Sequence, residues 1–300
     1  MKRIALRAGY GLLLVLLTGL VASVLIRLAP GYGVDERELG SSASTATIER
    51  IRAEHQHDPG AIRAYIHYVS GFARGDWGDS ESLNRPVKEL VRERLGVTAR
   101  IVATGLAEAL LLSMFVASLV TLWRNRFALA VVELAAGALV CLPAAVLGMV
   151  LFLKDGTPSL ALALVLIPKL YRFMHDSLAA ASTAPHVLAA HSRGMSSIRI
   201  FLLHVVCPSA PELIATLAVS IPLALGACVA IEVVFDTPGL GQLAWQAAMA
   251  RDLILLVNLT LLIAAATIFA GMIGDALTSA IAGNSDAVNG SQPQVLEQRT

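Results

Sequence analysis

Charged side chains are scarce in this sequence. Asp, Glu, Lys and Arg make up only 15% of its 300 residues, whereas hydrophobic residues make up 56%. A soluble domain usually carries about a quarter charged residues. The net charge is +1, so the chain lacks the basic excess that would indicate a nucleic-acid partner. Most of the charge falls in residues 30–100 and 282–300. The rest forms long apolar runs, which predict an integral membrane protein because about 20 apolar residues cross a bilayer.

Cysteine and cofactor-binding motifs are equally sparse. The chain has three cysteines, no Cys-x-x-Cys pair and no Gly-rich phosphate loop. The sequence therefore shows no nucleotide-binding or metal-binding motif of its own. Cys141 and Cys228 fall within apolar segments and Cys207 lies next to one. We expect these side chains to be buried as small hydrophobic groups rather than joined in a disulfide framework.

Six apolar segments predict about six transmembrane helices. The first spans residues 10–28 behind a basic start; its length and the lack of a cleavage site favour a retained helix with a cytoplasmic N-terminus over a signal peptide. Six crossings then place the C-terminus in the cytoplasm as well. The five further segments lie at about 101–123, 127–153, 158–178, 209–235 and 253–281.

Positive charge agrees with this orientation, because cytoplasmic loops of membrane proteins are enriched in Lys and Arg. The basic residues in or beside the predicted inner loops are Arg124, Arg126, Arg193 and Arg199, with Lys169 and Arg172 near the inner end of the fourth segment. Three prolines, Pro143, Pro168 and Pro222, fall inside predicted helices, which membrane bundles tolerate.

Residues 30–97 form the most polar internal stretch and are predicted to lie outside the cytoplasm. Residues 40–44 read as a flexible connection, and Asp58-Pro59 as a helix start. An apolar stripe at helical spacing then predicts an amphipathic helix that rests on the membrane or on the bundle without spanning. The stripe consists of Ile62, Tyr65, Ile66, Val69 and Phe72.

Residues 179–208 are unusual for a loop between membrane helices. Helix-forming residues flank a single glycine, Gly194, and predict two short helices that meet there, because glycine permits a sharp change of direction. A cytoplasmic partner protein that covers these helices is one explanation of their mixed polarity. A surface helix resting on lipid headgroups is the other.

Residues 189–204 resemble the EAA loop of ABC-importer permeases, in the version found in dipeptide and oligopeptide permeases. The usual glutamate of that loop is not obvious here. The residues that match the pattern are Ala190, Arg193, Gly194, Ser196, Arg199 and His204.

Three further segments resemble the same family in the same order. Residues 28–31 are similar to the end of its first helix, and residues 75–80 to its Gly-Asp-x-Gly-x-Ser signature, followed by Pro86-Val87 and Thr98. Residues 232–241 match its Glu-x-x-Phe-x-x-Pro-Gly-Leu-Gly segment, with Arg251-Asp252 just after. Residues 124–180 depart most from the family.

The resemblance to the dipeptide/oligopeptide/nickel permeases implies an all-α type I ABC importer fold in a bacterial inner membrane. It implies a transport subunit rather than an enzyme, which forms half of a pathway for short peptides. The implied partners are a second permease, two cytoplasmic ATPases that bind the ATP, and an extracytoplasmic binding protein. The implied division is a first helix (1–29), an extracytoplasmic segment (30–97), a five-helix core (98–281) that contains the coupling loop (179–208), and a tail (282–300).

The resemblance also implies two groups of site residues. The first would couple the chain to an ATPase: Ala189, Ala190, Arg193, Gly194, Met195, Ser196 and Arg199. The second would form the binding-protein docking surface and outer gate: Asp76, Trp77, Pro238, Gly239 and Gly241.

Four acidic residues lie in or at the ends of apolar segments, where ionisable groups are costly and suggest function. Glu232 and Asp275 match acidic positions of the family, and structural pairing and substrate contact both stay open for them. Glu108 and Glu133 are not part of the family pattern. Either they face the pathway and favour a cationic substrate, or they pair with polar groups of the partner subunit.

Other functions are weighed on the same residues. His55, His57 and His67 invite a metal site, but their polar setting favours solvated surface histidines, and no metal site is expected. Nickel or another small cation is the alternative substrate that the family allows. A self-sufficient secondary transporter would require inverted repeats and broken helices, which the sequence does not show. An intramembrane enzyme would require a catalytic pair, and Asp275 has no intramembrane aspartate to pair with.

Overall fold

The computed structural model describes residues 2–28, 61–123 and 125–289, and helices dominate these parts. Apart from one hairpin of two-residue strands, their regular structure is helical. The elements in chain order are α1 (Lys2–Leu28), α2 (Ala61–Arg74), β1 (Asp79–Ser80), β2 (Arg85–Pro86), α3 (Val87–Trp123), α4 (Arg126–Cys141), α5 (Ala144–Phe152), α6 (Pro158–Ser182), α7 (Pro185–Ser192), α8 (Ser197–Ile200), a π-helical segment (Phe201–Val206), α9 (Cys207–Val234), α10 (Leu240–Met249) and α11 (Leu253–Asn289).

Helices occupy all six predicted apolar segments. In the described residues, three helices are long and apolar enough to cross a membrane: α3, the continuous stretch Ser197–Val234, and Leu253–Gly274 of α11. The pair α4–α5 makes a fourth crossing if it is counted as one span. An all-helical membrane fold is thus confirmed, while the count of six crossings stays a prediction.

The segment predicted as one helix over 127–153 is broken. Helices α4 and α5 meet at an angle of 99°, with Leu142 extended (φ −85°, ψ 127°) before Pro143. Proline lacks an N–H and disfavours helical backbone in the residue before it. Pro168 and Pro222, by contrast, lie inside continuous helices, as expected.

The predicted amphipathic helix exists as α2, but its apolar stripe is only partly correct. Tyr65 is buried, and its hydroxyl donates to the carbonyl oxygen of Leu16 at 2.5 Å. Ile66 is 60% exposed, because consecutive helical residues point about 100° apart and it cannot share the face of Tyr65. The start predicted at Asp58-Pro59, the connection at 40–44 and the match at residues 29–31 lie outside the described residues.

Two helices extend beyond their apolar segments. Helix α3 begins at Val87, about four turns before the predicted segment at 101. Its first turns carry charge on one side and bury Val87, Leu90 and Val91 on the other. Helix α11 continues to Asn289, into the part predicted as a tail.

The chain divides into two compact units, each built from discontinuous parts of the sequence. The first unit comprises residues up to 97 together with 238–266, and it centres on the start of α3, α10 and the start of α11. The second comprises residues 98–237 and those from 267 onward, and it buries a core between α6 and the segments that follow it.

The prediction of three buried cysteines holds for one of them. Cys228 is buried, whereas Cys141 and Cys207 are exposed on the chain. The expectation was wrong for these two because an apolar segment of a membrane protein also has faces directed away from its own chain, and hydropathy does not distinguish the faces. All three are free thiols, so no disulfide joins them.

Candidate functional site

Helix α7 and the turn after it form the first half of the predicted coupling loop. Pro185 opens the helix at its first position, where the missing N–H is not needed. The helix ends as Gly194 N–H donates to the carbonyl of His191 at 3.0 Å and Met195 N–H to that of Ala190 at 3.4 Å. Gly194 has φ +73°, the left-handed conformation that glycine adopts at helix ends. The predicted turn at Gly194 is confirmed.

The second predicted short helix is not a separate element. Helix α8, the π-helical segment and α9 form one continuous helix from Ser197 to Val234. Pro208 cannot donate to the carbonyl four residues earlier, which belongs to His204. That carbonyl instead accepts the Nε2–H of His186 of α7 at 2.9 Å. A side chain of the loop therefore satisfies the backbone group that the proline leaves free.

The inner face of the loop is a packed apolar surface. Ala190 is 3% exposed, and it belongs to a core that joins the loop to the C-terminal half of α6. The buried residues of this core include Val187, Ala190, Ile200, Phe201 and Val205 of the loop and Tyr171, Met174 and Leu178 of α6. The loop is thus held against a predicted membrane helix.

The outer face combines exposed apolar and basic side chains. Leu188 is 75% and Ile198 68% exposed, on the two sides of the Gly194 turn. Of the seven predicted coupling residues, Ala190 is buried and Met195 is half-buried. The five exposed ones are Ala189, Arg193, Gly194, Ser196 and Arg199. Such a surface fits contact with another protein.

Glu232 is completely buried. Its Oε1 accepts the hydroxyl of Thr98 at 2.6 Å and the thiol of Cys228 at 3.3 Å. Both partners lie in the same unit as Glu232. The structure thus connects two sequence signatures through a buried hydrogen bond, which favours structural pairing for this carboxyl group.

Replacing Thr98 by Val is expected to destabilise the protein by about 1–3 kcal/mol, because a buried acceptor loses a short hydrogen bond at nearly constant side-chain volume. Thr104→Val is the matched control, since its exposed hydroxyl bonds only to backbone of its own helix. The measurement is the apparent Tm of the detergent-solubilised protein, where 1 kcal/mol corresponds to about 2–4 °C. Equal Tm values for the two variants would contradict the expectation.

The other three membrane carboxylates behave differently from one another. Glu133 forms an ion pair with Arg172 at 3.5 Å, with both side chains partly exposed. Glu108 accepts the hydroxyl of Ser159 at 3.1 Å, and its second oxygen is buried without a described partner. Asp275 lies in α11, but its side chain is outside the described residues. Contact of any of them with substrate stays a prediction.

The segment with Asp76 and Trp77 forms a compact turn. Asp76 is exposed, and its Oδ1 accepts the N–H of Gly78 at 3.2 Å; Gly78 has φ +67°, which favours glycine. The ring of Trp77 stacks on Phe72 with centroids 5.0 Å apart. The Trp77 carbonyl accepts the side-chain amide of Asn258 at 2.9 Å.

The Pro-Gly-Leu-Gly segment starts α10. Pro238 is exposed, whereas Gly239 and Gly241 are buried. Gly239 is the N-cap residue, and its carbonyl accepts the N–H of Leu243 at 3.0 Å. One turn into α10, Gln242 accepts a hydrogen bond from Arg94 of α3 at 2.8 Å. The segment therefore joins α10 to the start of α3.

Asp252 is a buried carboxylate for which sequence reasoning gave no role. It is 1% exposed. Its Oδ2 accepts the hydroxyls of Ser80 (2.5 Å) and Ser82 (2.8 Å) and the N–H of Ser82 (3.0 Å), while Oδ1 accepts the N–H of Leu255 at 3.0 Å. An acidic residue before an apolar run signals a helix cap. Its partners Ser80 and Ser82 lie about 170 positions away, and no local pattern predicts that they contact Asp252.

No group of three or more metal-ligating side chains occurs within residues 2–28, 61–123 and 125–289, as far as their side chains are described. His55, His57 and the side chain of His67 lie outside these parts. The expectation that these histidines are solvated therefore stays a prediction.

The family model for the inner membrane component of binding-protein-dependent transport systems matches residues 109–283. This range covers more than half of the chain and includes the loop around Gly194. The chain belongs to this family. As such a permease, it is a transport subunit of an ABC importer and a multi-pass inner-membrane protein. The family expected from the four sequence signatures is confirmed.

The curated relatives of this permease agree. The chain is similar to the glutathione transport system permease protein GsiC of Escherichia coli (strain K12), with 25% identity over 260 residues that cover 81% of this chain and 85% of the relative. The GsiC protein of Salmonella choleraesuis (strain SC-B67) is 26% identical over 286 residues, which cover 89% of this chain and 92% of the relative.

Proposed function

We propose that this permease forms half of the translocation pathway of an ATP-driven importer for short peptides, and that the loop from α7 to α8 couples it to a cytoplasmic ATPase. The observation that carries the coupling role is the two-faced loop. Its inner side packs on α6, so a push on the loop is transmitted to a membrane helix. Its outer side leaves Leu188, Ile198 and two arginines exposed.

The substrate class rests on the relatives. The relatives are named as glutathione transport permeases, and glutathione is a tripeptide. Their similarity extends over most of this chain. A short peptide is therefore the substrate that we assign.

The orientation follows from charge. With both termini in the cytoplasm, the connection at Arg124 and Arg126 and the loop with Arg193 and Arg199 lie on the inner side, in agreement with the enrichment of positive charge there. The turn at residues 75–80 and the start of α10 then lie outside, where the extracytoplasmic binding protein docks. A second permease completes the pathway and two ATPases bind the ATP. We assign no ATP site and no metal site to this chain.

Reversing the exposed charge of the loop should weaken ATPase binding. We expect the double variant Arg193→Glu/Arg199→Glu to retain at least tenfold less ATPase on co-purification. A tenfold loss of affinity corresponds to only about 1.4 kcal/mol, and placing like charges against each other at an interface costs more than that. The measurement is the ATPase-to-permease ratio after affinity purification in detergent, followed by ATP-driven uptake of glutathione in proteoliposomes.

The matched control is Arg92→Glu, which reverses an exposed arginine of α3 in the other unit. It should leave the ATPase ratio unchanged. Wild-type recovery of the ATPase with the loop variant would overturn the coupling assignment. Failure of the wild-type complex to transport any short peptide would overturn the substrate class alone.

A further inference from the structure

One side-chain hydrogen bond joins α7 to the helix that follows the Gly194 turn. His186, the second residue of α7, donates its Nε2–H to the carbonyl oxygen of His204 at 2.9 Å. The two rings also stack, with their centroids 6.3 Å apart and their planes at 29°. His204 belongs to the π-helical segment, inside the continuous helix Ser197–Val234. The contact therefore links two separate elements of the second unit.

The His204 carbonyl is open to a side chain because of the sequence that follows it. In an α-helix this carbonyl would accept the N–H of residue 208, but that residue is Pro208, which has no N–H. A backbone group without a helical partner bonds to a side chain or to water. His186 supplies the donor from α7, so the proline and the histidine together create the link.

The rest of the contact between α7 and this helix is apolar packing. Residues of both elements share one core: Val187, Ala190, Ile200, Phe201 and Val205. Such packing resists compression, but it is non-directional and gives little hold against sliding. Among the hydrogen bonds of the described residues, no other joins α7 to this helix. A hydrogen bond weakens steeply when it is bent, so His186 fixes the place of α7 on the helix.

We propose that His186 is a positioning residue that ties α7 to the helix Ser197–Val234, so that movement of α7 on the ATPase moves α9 as well as α6. The inference rests on the proposed function of the loop, in which α7 contacts the ATPase. Packing transmits the movement to α6, and the His186 hydrogen bond transmits it to α9. Without this bond α9 follows α7 less often, and less substrate is imported for each ATP hydrolysed.

The test is the number of ATP molecules hydrolysed per glutathione molecule imported, measured on the assembled complex in proteoliposomes. His186→Leu removes the donor and should raise this ratio about fivefold, the factor that corresponds to the net contribution of one hydrogen bond. His186→Gln should stay within about twofold of the wild type, because its amide N–H can donate to the same carbonyl.

Thr183→Val is the matched control. The Thr183 hydroxyl forms an exposed hydrogen bond of the same length, 2.9 Å, to the Ala180 carbonyl. That bond lies within α6 and its C-cap, so it joins no second element. The variant should keep the wild-type ratio.

Pro208→Ala separates the tie from a purely structural role. It supplies a helical N–H to the His204 carbonyl, which can still accept from His186 through its second lone pair. Pro208→Ala alone should therefore keep the wild-type ratio. His186→Leu/Pro208→Ala should regain any apparent Tm that His186→Leu loses but keep the raised ratio, because α7 stays untied.

The opposite results would overturn the tie. A wild-type ratio for His186→Leu means that apolar packing alone is sufficient, and a wild-type ratio in the double variant means that His186 only satisfies the carbonyl. The same raised ratio in His186→Gln would assign the effect to the ring rather than the donor. A raised ratio in Pro208→Ala alone would assign it to the proline. A wild-type complex that co-purifies no ATPase would instead refute the coupling role of the loop itself, and the tie with it.

Discussion

Gly194→Val is expected to abolish ATP-driven uptake while the permease still inserts and assembles. Gly194 has φ +73°, a conformation that costs an L-residue about 1–2 kcal/mol and a β-branched residue more. No atom lies within 4 Å of a Cβ at this position, so the cost comes from the backbone alone. The turn must then open, and the exposed residues on its two sides lose their common surface.

Two controls separate this effect from simple side-chain bulk. Gly194→Asn should keep most of the uptake, because asparagine tolerates the left-handed conformation. Gly194→Ala should fall between them. The measurements are peptide uptake and ATP hydrolysis in the same proteoliposomes. Continued hydrolysis without uptake is the expected signature of Gly194→Val, and wild-type uptake by that variant would refute the coupling role of the turn.

Asp252→Ala is expected to cause the largest loss of stability, about 2–4 kcal/mol, with a fall in apparent Tm of about 5–15 °C. The substitution removes the cap of α11 and the acceptor that holds Ser80 and Ser82. The hydroxyls of Ser80 and Ser82 remain partly buried, and alanine supplies no acceptor in place of the lost carboxylate.

A graded series tests this interpretation. Ser82→Ala removes one hydroxyl and should cost about 1 kcal/mol, while Asp252→Asn keeps a single acceptor oxygen and should fall in between. Apparent Tm in detergent, measured together with the amount of protein inserted in the membrane, gives the order. If Asp252→Ala and Ser82→Ala had the same apparent Tm, the carboxylate would not be what holds the turn.

The helices of the six apolar segments were predictable because each of them rests on a local pattern. Long apolar runs predicted helices in six segments, all of which are helical in the structure, and Gly194 marked its own turn. The break at Pro143 was not predictable. Pro168 and Pro222 have the same chemistry and lie inside continuous helices, so tertiary packing decides which proline ends a helix.

The site was less accessible to sequence reasoning than the fold. The signatures included Thr98 and Glu232, but they did not predict the contact between these two residues, which lie 134 positions apart. The exposure of Cys141 and Cys207 was missed for a related reason: an apolar residue can face its own core, lipid or another subunit, and composition is the same in each case.

The π-helical segment sets the rotational phase between the loop and the helix that follows it. Each α-helical residue advances about 100° around the axis, and a π-helical turn holds roughly one residue more. Phe201 and Val205 of this segment and Ser209 just after it are all buried, so one face stays buried through the change of helix type. Removing a single residue here would leave every helix intact and turn the loop by about a quarter of a revolution relative to α9. One residue of chain length therefore decides which way the loop faces.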